Sequence, residues 1–214
     1  MKVTGLRRSG NSDKIAVDLD GRFAFSVSLD ALLELGIKPN TELSDFQYVQ
    51  LKQRSHMEQA EGDAVKLLKY GPRTEQELRK KLMEKEYDEE TAAAVVQKFA
   101  GLHLVDDLEY CHMFVRSHKE TRGWGPEKTK QALLKKGLPA ALSASVLSEF
   151  YDRDSTVELA VKAAEKKFRT LHKKNGNIFE IRLKLIRFLG SRGFDTEICR
   201  QAADQVISMI PEQE

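Results

Sequence analysis

Along residues 2 to 28, apolar and polar positions alternate as they do in half-buried strands: KVTGLRR, then KIAVDL, then RFAFSVS. Ile15, Val17 and Leu19 share one face of the second run, and Phe23, Phe25 and Val27 share one face of the third. Asp20-Gly21 supplies the two positive-φ positions of a type I′ turn, and Ser9-Gly10-Asn11-Ser12-Asp13 makes the longer junction. A three-stranded meander is predicted, with one apolar face that needs a cover. Leu29, Leu32, Leu33 and Leu35 then adopt helical spacing and stop at Gly36, with Pro39 beyond, so a short helix is expected to supply that cover.

The period changes after residue 44. Ser44-Asp-Phe-Gln47 is a capping box, opening a helix expected to reach Tyr70, with Gly62 as its weak point. From about residue 57 onward the chain reads as helices of roughly 10 to 18 residues with short breaks, the setting for an internal repeat. Leu82–Tyr87 (LMEKEY) aligns with Leu133–Leu138 (LLKKGL) and Leu189–Phe194 (LGSRGF), at offsets of 51 and 56. In those registers Val95, Val96 and Phe99 match Val146, Leu147 and Phe150, and then Ala202, Ala203 and Val206. Helix starts are predicted at Asp88, Pro139 and Asp195, with Thr74–Glu77 and Asp106–Glu109 as further capping boxes. In the middle unit the apolar stripe runs through Leu108, Cys111, Phe114, Val115, Leu133, Leu134, Leu142, Val146, Leu147 and Phe150.

The expected fold is therefore mainly α: three tandem three-helix repeats in an elongated curved row, preceded by a small N-terminal β meander. Its divisions are 1–43 for the meander and short helix, 44–103 for a linking helix with the first repeat, 104–152 for the second and 153–214 for the third.

Charge refines this picture locally. The 214 residues carry a net charge of only +2, so overall charge does not mark a nucleic-acid binder, but clustering does. Arg116 to Leu138 holds Arg116, Lys119, Arg122, Lys128, Lys130, Lys135 and Lys136 around a Gly-Trp-Gly-Pro loop, opposed by Glu120 and Glu127. The third repeat carries a second run, from Lys162 to Arg192, opposed within those limits by Glu165 and Glu180. Each run reads either as a solvated helical face or as a local positive field that a polyanion follows. Gly125 and Pro126 predict a helix start with free amides, a place that attracts anions. Trp124 either stacks on a base or partner, or anchors the loop on its own repeat.

Other chemistry has little support. The five histidines have no ligand spacing, and neither G-x-S-x-G nor a Walker loop is present. Asp106-Asp107 reads as a helix cap. No active site, metal or cofactor is expected. Cys111 and Cys199, far apart and outside any C-x-x-C, fit reduced thiols in a cytosol. The chain shows neither a signal-peptide core nor a run of roughly 18 apolar residues, so a cytoplasmic protein without membrane contact is expected.

Several motifs in order resemble the bacterial RecX regulatory proteins. They are Arg73-Thr-Glu-Gln-Glu-Leu78 with Lys81-Leu82, Gly101-Leu-His-Leu-Val-Asp-Asp107 leading to Tyr110, Arg116, Gly123-Trp-Gly-Pro126, Leu133, and Lys136-Gly-Leu138. The resemblance covers roughly residues 60 to 210. Glu86-Tyr87 departs from it, since the family has a glycine and an apolar residue there, and Trp124 is a second departure. A monomer without enzymatic activity is expected, and the resemblance implies a protein that lies in the helical groove of the RecA recombinase filament and modulates it. Such a protein inhibits strand exchange, ATP hydrolysis and coprotease activity, and contacts single- or double-stranded DNA. The alternative is an autonomous DNA-binding helical repeat protein acting without RecA. The residues expected to meet DNA or the filament are Arg116, Lys119, Arg122, Trp124, Lys128, Lys135, Lys136, Lys166, Lys167, Arg169, Lys173, Lys174, Arg182 and Arg187.

Overall fold

The computed structural model describes residues 1–8, 13–172 and 177–209, so the Ser9–Ser12 part of the first strand junction lies outside the described residues. Two compact units are present: Met1–Pro72 with Leu78–Val105, and Arg73–Glu77 with the chain from Asp106 onward.

In the first unit, β1 (Val3–Arg8), β2 (Lys14–Leu19) and β3 (Arg22–Ser28) form an antiparallel sheet in sequence order. Asp20 and Gly21 both have positive φ, 48° and 80°, as the hairpin requires. Val17 pairs with Phe25 and Ile15 with Val27, placing the buried members on one face. Phe23 departs from the expectation and is 62% exposed. The register shifts between Val17 and Asp18, so Phe23 pairs with Asp18 and Ala24 becomes the extra residue of a bulge. A shift of one residue exchanges faces, and Phe23 joins Asp18 on the outer one.

The cover over the inner face is larger than one short helix. Ala31 and Leu32 of α1 (Leu29–Glu34) contribute, while Leu29 and Leu33 are exposed. Leu51 of α2 (Asp45–Lys69), with Ile37 and Leu43, completes the cluster. The Ser44 and Gln47 capping box is reciprocal, and α2 passes Gly62 without a break. Its second half supplies Ala60 and Ala64 to a separate core with Leu78 and Leu82 of α3 (Glu75–Met83) and Ala92, Val95, Val96 and Phe99 of α4 (Glu89–Gly101). One long helix therefore serves both the sheet and the first repeat.

The second unit holds two further three-helix sets. The first comprises α5 (Asp107–Arg122), α6 (Pro126–Lys135) and α7 (Ala140–Phe150) around Tyr110, Cys111, Val115, Leu133, Leu138, Val146 and Leu147. Leu108 and Leu134 are exposed against expectation. Tyr110 with Cys111 turns the buried stripe of α5 away from Leu108, and α6 is held inward by Thr129 and Leu133, four residues apart. The second set comprises α8 (Arg153–His172), α9 (Ile178–Ser191) and α10 (Thr196–Ser208), with its own core.

Helix ends follow local chemistry closely. Asp88 and Asp195 cap α4 and α10 by accepting from Thr91 and Ile198 amides, and Pro139 precedes α7. The aligned blocks all close in the same way. Glu86, Gly137 and Gly193 take left-handed φ values of 69°, 84° and 88°. The next amides, of Tyr87, Leu138 and Phe194, return to the carbonyls of Leu82, Leu133 and Leu189 at 3.3, 3.2 and 3.3 Å. These are Schellman closures, whose left-handed position normally goes to glycine.

Candidate nucleic-acid interface

The loop between α5 and α6 is built from its own turn chemistry. Gly123 closes α5 with φ 58°, and the Trp124 amide donates to the His118 carbonyl at 3.2 Å. Tyr151 donates its hydroxyl to the Trp124 carbonyl at 2.9 Å. The indole is partly buried and leans on the His118 ring, 4.5 Å between centroids, which in turn stacks on Phe114 at 3.8 Å. Burial, with help from the nearby charges of Arg122 and Lys136, lowers the His118 pKa from its usual value. Above the indole, Arg122 and Lys128 stand 5.3 and 5.0 Å from the ring centroid.

The start of α6 is not a free anion site. Gly125 donates its amide to the Arg192 carbonyl at 2.7 Å, and Glu127 donates to the Gly193 carbonyl at 3.1 Å. The third repeat's helix closure thus occupies the amides that would otherwise face an anion. Contact is close enough to require glycine on both sides: a Cβ on Gly125 would meet the Gly193 oxygen at 2.6 Å, and one on Gly193 would meet the Lys128 nitrogen at 2.3 Å.

A related joint lies at the other end of α6. Thr74 donates its hydroxyl to the Lys136 carbonyl at 2.7 Å, and Glu75 donates its amide to Asp107 at 2.9 Å. Thr74 plus 51 is Gly125, and Lys136 plus 56 is Arg192, the two repeat offsets found in the sequence. Lys136 also reaches Glu77 at 2.6 Å, and this bond is the main cause that raises the Lys136 pKa.

The two basic runs meet in one groove of about 420 Å³. Lys119 and Arg122 of α5, Lys162, Lys166 and Lys167 of α8, and Phe188 of α9 with the following Arg192 line it together. Lys167 and Arg192 sit 5.6 and 5.0 Å from the Phe188 centroid. Glu120 is the acidic member of the lining.

Lys119 of the groove and Lys128 make further bonds, and the other candidates are dispersed. Lys119 donates to the Phe150 carbonyl over the Tyr151 ring, and Lys128 donates to the Ser191 carbonyl at 2.9 Å. Arg116 is exposed in a different groove beside Glu109, Glu120 and Glu149. Lys135, Arg169 and Arg187 are exposed. Arg182 grips Asp204 with two bonds of 2.5 and 2.9 Å, which raises its pKa. Lys173 and Lys174 lie outside the described residues.

Lys162 and Arg192 stood in the basic run without being placed in the expected binding set, yet both line the groove. The helix-closing position of Arg192 was the available signal, because it recurs at Lys136.

Among the described residues, no group of three or more His, Cys, Asp or Glu is placed to hold a metal ion, and no helix is long and apolar enough to cross a membrane. Cys111 and Cys199 are buried, and burial pushes each thiol up to about 11, so the thiolate is scarce at neutral pH.

Family models for the first, second and third three-helix domains of RecX match residues 60–99, 106–147 and 154–203. The "Regulatory protein RecX" of Clostridium beijerinckii is 27% identical over 199 residues, covering 93% of this chain and 92% of that protein. That of Bacillus subtilis is 28% identical over 196 residues, covering 92% of this chain and 73% of the relative. A crystal structure of regulatory protein RecX superimposes with a TM-score of 0.79 at 27% identity, covering 95% of this chain and 98% of that one.

Proposed function

The chain belongs to the RecX family, and on that premise we propose that it is a non-catalytic regulator of the RecA recombinase. It lies in the helical groove of the RecA nucleoprotein filament and lowers strand exchange, ATP hydrolysis and coprotease activity. It acts in the cytoplasm, as a monomer and without a cofactor. The observation that carries the nucleic-acid part of this reading is the meeting of Lys119 and Arg122 with Lys162, Lys166, Lys167 and Arg192 in one groove. Convergent cations of this kind follow a phosphate backbone. Arg116, Lys135, Arg169 and Arg187 lie apart from the groove lining and are exposed to filament or DNA.

RecA ATPase on single-stranded DNA, with this protein titrated in, tests the proposal. A concentration-dependent fall in rate is expected, with shortened filament lifetime. Unchanged rate and lifetime would overturn it.

The same groove favours a second reading, an autonomous DNA-binding repeat protein. Tight binding to bare DNA with a steep salt dependence, and no effect on RecA, would select that reading.

A further inference from the structure

Proteins that hold single strands without sequence preference combine a positive groove with aromatic rings open to bases. The groove in the second unit has the charge, but Phe188, the ring in its lining, and Trp124 next to the lining residue Gly123 are already engaged by the same chain. Arg122 and Lys128 stand over Trp124, and His118 leans on it. Lys167 and Arg192 stand over Phe188. A base would have to displace these cations to stack, losing charge where the phosphates need it.

The rings instead act as supports. A ring face holds a guanidinium or ammonium in place without neutralising it, as a carboxylate would. Among the described residues, Arg122, Lys166 and Lys167 have no carboxylate within the 4.0 Å of an ion pair, and Lys162 has only the distant, exposed Glu158 at 3.8 Å. Their charge is therefore available to a ligand, and the ring contacts position Arg122 and Lys167 before the ligand arrives.

We infer that this groove binds linear polyphosphate-type anions through their phosphate charge alone, blind to base and sugar, so that inorganic polyphosphate occupies it as a nucleic-acid strand does. This rests on the nucleic-acid reading proposed above and deepens it by assigning which part of the nucleotide is recognised.

The test uses the full chain and a fluorescent oligothymidine, displaced in anisotropy measurements by three competitors of equal length: unlabelled oligothymidine, an abasic phosphodiester strand and an uncharged peptide nucleic acid. A fourth competitor is inorganic polyphosphate at equal phosphate concentration. The abasic strand is expected to compete within about twofold of oligothymidine and polyphosphate within about tenfold, with no competition from the peptide nucleic acid. The combined Arg122→Gln, Lys166→Gln and Lys167→Gln variant should lose about tenfold or more toward every anion. Lys166→Gln alone, at an exposed position, should lose part of that and guards against misfolding of the combined variant.

A loss of more than about tenfold on removing the bases would show that bases are read, and would overturn the inference. Failure of polyphosphate to compete, or unaltered affinity in the folded variants, would overturn it equally. Retained inhibition of RecA with no polyanion binding would sink this inference and leave the regulator intact. Polyphosphate binding without any effect on RecA would do the reverse.

Discussion

The amide of Gly125 donates to the carbonyl of Arg192 at 2.7 Å, joining a loop of the second repeat to a helix closure of the third. Rigid backbone lies opposite the Gly125 Cα: a Cβ there would meet the oxygen and carbon of Gly193 at 2.6 and 2.7 Å. Gly125→Ala is therefore expected to destabilise this joint by about 1–3 kcal/mol, the usual range for overpacking without a flexible neighbour to give way. Urea unfolding followed by Trp124 fluorescence measures it, as a lower midpoint at unchanged slope. An unchanged midpoint would mean that the joint has slack.

Glu86 predicts the opposite sign. It holds the left-handed position that Gly137 and Gly193 hold in the other repeats, and it is exposed. Relief of left-handed strain, partly offset by the greater unfolded-state freedom of glycine, should make Glu86→Gly more stable by about 0.5–1 kcal/mol. Thermal unfolding should shift upward by about 1–4 °C. A downward shift would show that Glu86 makes a contact worth more than its strain.

Salt dependence separates groove cations from joint cations. Lys166→Gln should flatten the dependence of DNA affinity on salt by about one unit, the effect of one phosphate contact. Lys136→Gln should leave that slope unchanged, because Lys136 already bonds to Glu77. Its cost appears in stability instead, about 0.5–1 kcal/mol for a partly exposed pair. Equal slopes for wild type and Lys166→Gln would remove Lys166 from the interface.

His118 gives Trp124 a pH response. Burial lowers the His118 pKa below its ordinary 6.5, so the unfolded chain takes up this proton at a higher pH than the folded protein does. The associated stability is fully present above 6.5 and is lost as pH falls from there through the folded pKa. Trp124 is the only tryptophan and leans on this ring. Its fluorescence should titrate with a midpoint below 6.5, and the transition should vanish in His118→Phe. A midpoint at or above 6.5 would contradict the burial of the imidazole.

Features decided within a few residues were legible in the sequence. Ser44 with Gln47, Asp88, Asp195 and Asp20-Gly21 each carry their geometry in their own chemistry, and the Leu82, Leu133 and Leu189 blocks repeat one closure. Features decided by partners distant in the chain were not. Phe23 alternates correctly with Phe25, yet a bulge at Ala24 turns it outward. The amides of Gly125 and Glu127 look free until Arg192 and Gly193 arrive from the next repeat. The candidate groove was half legible: both basic runs were visible, but their meeting around Phe188 depends on how α5, α8 and α9 pack. Composition also cannot distinguish Lys136 and Arg182, held by Glu77 and Asp204, from Lys166, which faces solvent.

The helix α6 has a further role as a spacer. Its first turn receives the Arg192–Gly193 closure, and the carbonyl just beyond its last turn receives Thr74. Ten residues between these joints fix a distance of about 15 Å and a definite angle between them. One inserted residue would rotate the outgoing joint by about 100° relative to the incoming one, too far for both joints to form at once. Length variation among such chains should therefore collect in the connections between helices and spare α6, whose residue count acts as a gauge for the spacing of its neighbours.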